Sequence, residues 1–176
     1  DVRLRDGNMQ NWKPTGSVGL LTARGLVEGP VIKNKSSVLV AFRRTYTDQL
    51  ISLLSGGQND NLKFYFYDGN FKFNYKLNNK NRLYLSGYTG TDMFHSSVYL
   101  KRNNNLVTLR WNYILGNHLF FNVSAIGSLT TMQMSNFYYE SNLRWKSKCW
   151  DSRLKADFSH YISDQIKLNY GYSSVF

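Results

Sequence analysis

Residues 71–88 read FKFNYKLNNKNRLYLSGY and contain the clearest structural pattern in the chain. Phe71, Phe73 and Tyr75 alternate with polar residues, which is the two-residue period of a β-strand. The turn-forming residues 78–81 follow, and a second alternating run begins at Leu83. The stretch therefore predicts a β-hairpin with one strongly aromatic face and one face that carries full charges.

The same alternation recurs along most of the 176 residues. It is present in the runs 20–31, 38–43, 107–115, 119–125, 153–158 and 166–173. Together with the hairpin, these runs predict about eight or nine strands. One helical turn is expected at 48–54. The predicted fold class is therefore all-β, with antiparallel strands.

The connections between the predicted strands differ in length. Short turns are expected at 33–35, 78–81, 116–117 and 163–165, and long polar connections at 48–61, at about 91–105 and at about 132–150. Strict alternation of short and long is typical of an up-and-down transmembrane β-barrel, whose strands cross in roughly 9–11 residues. The aromatic face would then contact lipid and the charged face a wet lumen. A soluble β-sandwich with one solvated face is the alternative.

Composition fits the barrel better than a helical membrane protein. Aromatic residues make up 16% of the chain and only 2 residues are proline, while no apolar run approaches the roughly 18 residues of a membrane-spanning helix. The formal net charge is +11, but the basic residues are spread over turns, lumen positions and loops. This spread favours loops that meet anionic lipopolysaccharide over nucleic-acid binding. The first residues, DVRLRDGNMQ, lack the apolar segment of a signal peptide.

No motif indicates an enzyme, a cofactor or a metal site. His95, His118 and His160 are far apart in sequence, and none has metal-ligand spacing with Cys149 or with a carboxylate. A lipid-A-modifying enzyme would need a Ser and a His near the rim of the barrel. Ser159 and His160 are adjacent, which places them on opposite faces of a strand and argues against an acid–base pair. We expect no catalytic residues.

Several blocks of the chain resemble TonB-dependent outer-membrane receptors of the Bacteroidota type. The blocks are DVRLRDGNMQ, GSVGLLTARGLVEGPVIKNKSSVLVAFRRTY, YDGNFKFNYKLNNKNRLYLSGYTGTDMF and SRLKADFSHYISDQIKLNYGYSSVF. The resemblance implies a Gram-negative outer-membrane transporter for active uptake of a bulky nutrient. In that family an N-terminal plug fills a barrel of about 22 strands, and TonB remodels the plug to open a path. Membrane lipid, the TonB complex acting through the plug, and a surface lipoprotein lid are the partners that the resemblance implies.

The resemblance also implies how this chain is organised. Residues 1–15 are expected to be the passage from plug to barrel or a first strand, and 16–176 a segment of the transmembrane barrel. Because eight or nine strands are too few for the family's barrel, we expect an arc of it, made by a fragment of a receptor. The alternative is a stand-alone small barrel with a structural or adhesive role.

Charged residues at inward positions are the candidate functional residues. We expect five of them to face the lumen or the plug, because the resemblance implies that inward charges pair with the plug. They are Arg24, Glu28, Arg43, Lys72 and Arg110. By the same resemblance, substrate binds the outer loops and the apex of the plug, and the ligand itself could be glycan, siderophore, haem or peptide.

Overall fold

The computed structural model describes residues 5–54, 62–116, 118–136, 143–163 and 165–176. These residues form nine strands and one helix. The strands are β1 (Lys13–Val18), β2 (Thr22–Ile32), β3 (Ser36–Thr45), β4 (Lys63–Lys76), β5 (Asn81–His95), β6 (Val98–Leu115), β7 (Leu119–Asn136), β8 (Leu143–Tyr161) and β9 (Lys167–Val175). The helix, α1 (Thr47–Leu54), follows β3. Within the described residues, no helix has the length and apolar character needed to cross a membrane.

All nine strands belong to one antiparallel sheet in which each strand pairs with the next along the chain. The sheet is open, with β1 and β9 at its two edges. The predicted all-β antiparallel class and the predicted number of strands are therefore confirmed. We call the end with the connections after β2, β4, β6 and β8 the turn end, and the end that carries α1 the helix end.

The two faces of the sheet differ sharply in chemistry. Side chains of residues paired across antiparallel strands point to the same face, so each row of partners defines one face. The apolar face carries a row of hydrophobic residues: Val38, Phe73, Leu85, Leu109, Ala125 and Leu154. The polar face carries the adjacent row, Ser37, Asn74, Tyr84, Arg110, Ser124 and Lys155. The alternation seen in residues 71–77 thus extends across most of the sheet.

Aromatic rings form a continuous line across the apolar face near the turn end. Trp111 stacks on Tyr113 and meets Phe121 edge-on, each with ring centroids 5.8 Å apart. Phe121 lies 4.8 Å from Phe158, which stacks on Tyr170 at 5.2 Å. Such ring pairs add about 0.5–1.5 kcal/mol each beyond the area they bury. They therefore hold β6 to β9 together on a face against which no other layer of the described residues packs.

The described part of the chain has almost no hydrophobic core. Leu39 is its single buried apolar side chain, while Phe42, Val107 and Leu109 of the apolar face remain about half exposed, at 53%, 52% and 52%. Water-soluble domains bury such residues between two layers. A single-layer sheet with an uncovered apolar face requires something outside the described chain to cover it.

The predicted long connections at 91–105 and 132–150 are wrong. Most of these residues extend the strands: β5 and β6 are joined by residues 96–97 alone, and β7 and β8 by 137–142, which lie outside the described residues. The predicted alternation of short and long connections fails with them, because residues 19–21 between β1 and β2 are also few. The turns at 33–35 and 78–81 and the helical turn at 48–54 are confirmed, whereas 55–61 lie outside the described residues.

Amide and hydroxyl groups explain why these polar segments are strands. On the apolar face, Thr89 donates a hydrogen bond of 2.8 Å to Asn105, and Thr91 donates one of 2.9 Å to Asn103. On the polar face, Thr130 donates to the Asn104 side chain at 3.1 Å. Cross-strand pairs of this kind stabilise a ladder without apolar burial. The segment therefore lacks hydrophobic alternation and still continues the sheet.

Residues 5–12 precede β1 and form no strand. Arg5, Asp6 and Gly7 contact the polar face, and the amide of Asn34 donates to the Met9 carbonyl at 3.1 Å. The ring of Trp12 packs against Gly29, where an added Cβ would lie 2.2 Å from it. Residues 5–7 thus contact the polar face, whereas Trp12 meets Gly29, whose partner Val38 belongs to the apolar face, so the chain passes the edge of the sheet before β1 begins.

Candidate functional site

The candidate site is the polar face where residues 5–12, which we call the N-terminal segment, lie against β2, β3 and β4. Two ion pairs of opposite orientation hold the segment there. The Arg5 guanidinium is 2.9 Å from the Glu28 carboxylate, whose side chain is 7% exposed. The Lys72 ammonium, 13% exposed, is 2.6 Å from the Asp6 carboxylate. Because one member of each pair is largely buried, removal of its partner would leave that charge unpaired, which costs more than the loss of a solvated surface pair.

A buried chain of hydrogen bonds lies in the row next to the two ion pairs, because Glu28 and Lys72 both pair with Leu39 while Ser37 and Asn74 pair two residues further along β3. Ser37 is fully buried and donates to the Gly7 carbonyl oxygen at 2.8 Å. The Asn74 side-chain amide donates to the Ser37 hydroxyl at 2.7 Å. An added Cβ on Gly7 would lie 2.6 Å from the Val38 carbonyl oxygen, so only glycine fits at this approach. These hydrogen bonds connect the N-terminal segment to β3 and β4 at one point.

A cleft of about 690 Å³ lies beside this contact, on the polar face over β4, β5 and β6. The cationic side chains of Arg5, Lys72 and Arg110 line it, with Asp6 as a carboxylate and Tyr84 and Tyr88 as the aromatic members. The Lys72 ammonium lies 5.5 Å from the centre of the Tyr84 ring. The excess of positive charge and the tyrosine rings suit an anionic or hydroxyl-rich segment or ligand.

All five predicted residues lie on the polar face, as their cross-strand partners show. Glu28 and Lys72 bind the N-terminal segment, and Arg110 lines the cleft and donates to Ser124 at 3.3 Å. Arg43 instead pairs with Asp68 at 2.6 Å, and Arg24 donates to Ser17 at 2.7 Å near the β1 edge. The structure therefore brings three of them around one site. Their role towards a lumen or a plug stays a prediction.

Sequence reasoning missed Asp6, Gly7, Ser37 and Asn74. The N-terminal segment has no periodicity, so nothing in it predicts contact with β3. Ser37 and Asn74 resemble ordinary polar strand residues, and their burial depends on the segment that covers them. The single available signal was the charge order of Arg5 and Asp6, which complements Glu28 and Lys72.

The described residues hold no group of three His, Cys, Asp or Glu side chains placed to bind a metal ion. Ser159 donates to the Asn169 side chain at 2.8 Å on the polar face. His160 pairs with Leu119 and Leu168, which belong to the other face. Cys149 is an exposed free thiol. Neither the histidines nor the cysteine joins the candidate site.

Comparison with known proteins found no family model, no characterised protein and no solved structure that matches the chain.

Replacing Ser37 by alanine tests the buried hydrogen-bond chain. We expect Ser37→Ala to lower the free energy of unfolding by about 1–3 kcal/mol, because the Asn74 amide and the Gly7 carbonyl lose their partner in a buried place. Chemical denaturation measures the change. Ser86→Ala, on the same face but half-buried, is the control and should change the value by less than about 0.5 kcal/mol. Equal effects of the two variants would contradict the assigned role of Ser37.

Proposed function

We propose that the sheet is part of the wall of a transmembrane β-barrel in the bacterial outer membrane, with its apolar face against lipid. The observation that carries this proposal is the uncovered apolar face, which continues from β2 to β9 while Leu39 is the single buried apolar side chain among the described residues. Lipid would cover this face in the way that it covers the outward apolar band of a membrane barrel. A sheet can lie in lipid when its antiparallel strands close into a barrel, because every backbone N–H and C=O group is then paired.

The turn end of the sheet is staggered in the way that a tilted barrel wall requires. Lys76, the last residue of β4, lies in one row with Asn112 of β6 and Asp157 of β8. From that row, β6 continues three residues to Leu115 and β8 four residues to Tyr161. Strands of closed barrels tilt by about 35–45° and step along their register in one direction. The progressive stagger supports a curved wall over a flat sandwich layer.

We propose further that the protein is a TonB-dependent receptor that takes up a bulky nutrient. The N-terminal segment supports this reading, because it enters the polar face through Arg5, Asp6 and Gly7 before the first strand begins. A plug that fills the barrel would approach the wall along the same path. The cationic cleft over β4, β5 and β6 would then contact the plug, or the ligand as it passes through the barrel.

Uptake experiments test the transport proposal. Strains that lack the protein, strains that lack TonB, and the parent are grown with haem, siderophore-bound iron, glycans or peptides as the limiting nutrient. We expect the two deletions to abolish growth on the same nutrient, because transport needs both the wall and the energised plug. Normal growth of the protein-deletion strain on every nutrient would contradict the proposal.

The alternative is a stand-alone small barrel with a structural or adhesive role. The mass of the native protein, purified from outer membranes in detergent, separates the two. An arc of a large receptor predicts a mass several times 20.5 kDa, whereas a small closed barrel predicts a mass near that value and a heat-dependent gel shift. The second result would remove TonB-driven transport for this chain.

A further inference from the structure

Charge is distributed unequally between the two faces of the sheet. Every carboxylate in the described strands points to the polar face: Glu28, Asp68, Asp92, Asp151 and Asp157. Basic residues occur on both faces, and those on the apolar face are all near the helix end: Arg44, Lys63, Lys101, Arg144, Lys146 and Lys148. Towards the helix end the apolar face thus changes from a hydrophobic surface to a polar one, on which all charged residues of the described strands are cationic.

The densest part of this region is on β8. Arg144, Lys146 and Lys148 are consecutive residues of the apolar face, all exposed, and we call them the basic stripe. Their neighbours along the strand lie about 7 Å apart. Lys101 of β6 is in one row with Gln133 and Lys146, about 10 Å from Lys146. Four cations therefore share one surface.

No carboxylate of the described residues forms an ion pair with these cations. The ion pairs among the described residues involve Glu28, Asp68, Asp6 and Asp157, and none reaches Lys101 or the basic stripe. A solvated strand surface normally mixes charges of both signs. A one-sign surface without internal pairs is instead typical of contact with an anionic partner.

The place of the basic stripe in the fold identifies that partner. Trp150, 66% exposed, is the next residue of the same face after Lys148, and Leu154 and Phe158 continue the hydrophobic surface towards the turn end. The hydrophobic and cationic surfaces are thus continuous on one strand. A partner that covers both has an apolar part and an anionic part in the same order.

We propose that the basic stripe and Lys101 bind the phosphorylated sugar headgroup of lipid A in the outer leaflet. The proposed lipid site rests on the proposed membrane insertion and adds a defined lipid partner to it. Arg144 is six residues beyond Trp150, which is about 20 Å along the strand. A phosphorylated disaccharide reaches further from the hydrocarbon than a single glycerol phosphate does, so it matches a column of cations of this height.

The test compares two double variants of β8 that remove the same charge from opposite faces. Lys146→Gln with Lys148→Gln changes the basic stripe, and Arg153→Gln with Lys155→Gln changes the polar face. Binding of diphosphoryl lipid A is titrated in detergent micelles by native mass spectrometry. We expect the first variant to bind lipid A about 30-fold more weakly than wild type, because each basic residue near an anionic lipid surface strengthens binding by a similar factor and this variant lacks two of them. The control should stay within about threefold.

The lipid site would be overturned by equal weakening in both variants, by equal binding of lipid A from which the phosphates are removed, or by equally effective competition by phosphatidylglycerol. Insertion of each variant into phospholipid vesicles is followed separately by tryptophan fluorescence. Wild-type protein that inserts but does not bind lipid A would refute the site alone. Protein that fails to insert at all would refute the proposed membrane function.

Discussion

The substitution Val123→Arg is expected to destabilise the protein by about 2–4 kcal/mol in phospholipid vesicles. Val123 points to the apolar face between Trp111 and Ala156, its partners on β6 and β8. If this face contacts lipid, a guanidinium there must leave water for hydrocarbon, and the cost is greatest near the middle of the bilayer. Chemical denaturation of the vesicle-inserted protein measures the loss.

Asn122→Arg is the matched control on the preceding residue of the same strand. Asn122 points to the polar face, where its row contains Asn112 and Asp157. The new cation would lie near a carboxylate, so we expect a change below about 1 kcal/mol. In a water-exposed sheet both variants would stay within about 0.5 kcal/mol of wild type. That result would reject the lipid-facing wall.

Alanine at Gly7 is expected to detach the N-terminal segment from the polar face. Its Cβ would lie 2.6 Å from the Val38 carbonyl oxygen and 2.9 Å from the Val38 carbonyl carbon. β3 is paired on both sides, so this backbone cannot move away. Overpacking of this kind costs about 1–3 kcal/mol, which raises the detached population by about 5- to 150-fold.

Hydrogen exchange of residues 5–12 measures this detachment, because amides exchange through the open population. We expect faster exchange in that peptide, while the strands β5 to β8 keep their wild-type rates. Gly25→Ala is the control, since an added Cβ there meets nothing within 4 Å. Unchanged exchange in the Gly7 variant would show that the segment is not held by its contact with β3.

The sheet and its faces could be predicted because they depend on local periodicity. Alternation such as that of Phe71, Lys72 and Phe73 predicts to which face of its strand each side chain points. The same period in the other strands placed all five candidate charged residues on one face. That face could be identified without knowing which strand pairs with which. Up-and-down order then follows from tight turns such as 33–35.

The remaining features depend on contacts that have no local signal. Asn103 and Asn105 are poor strand formers by propensity, and their strand is stabilised by hydroxyl partners, Thr91 and Thr89, on the neighbouring strand. The seat of Gly7 on Val38 joins residues that are far apart in sequence. In both places contacts between distant residues outweigh the local preference. Sequence patterns alone therefore predicted a loop for Asn103 and Asn105, and they gave no sign of the contact between Gly7 and Val38.

The polar extension of β5 and β6 has a mechanical consequence. These strands stay paired with each other until residues 96–97, and β4 and β7 flank them over the same length, so the tip is carried by a stiff four-stranded part of the sheet. Ser97, at the tip, is ten residues from Val107 of the hydrophobic surface, which is about 33 Å at strand rise. A substitution at residues 96–97 would change the side chains at the tip without changing their distance from the hydrophobic surface. The length of this hairpin and the residues at its tip can therefore change independently of each other.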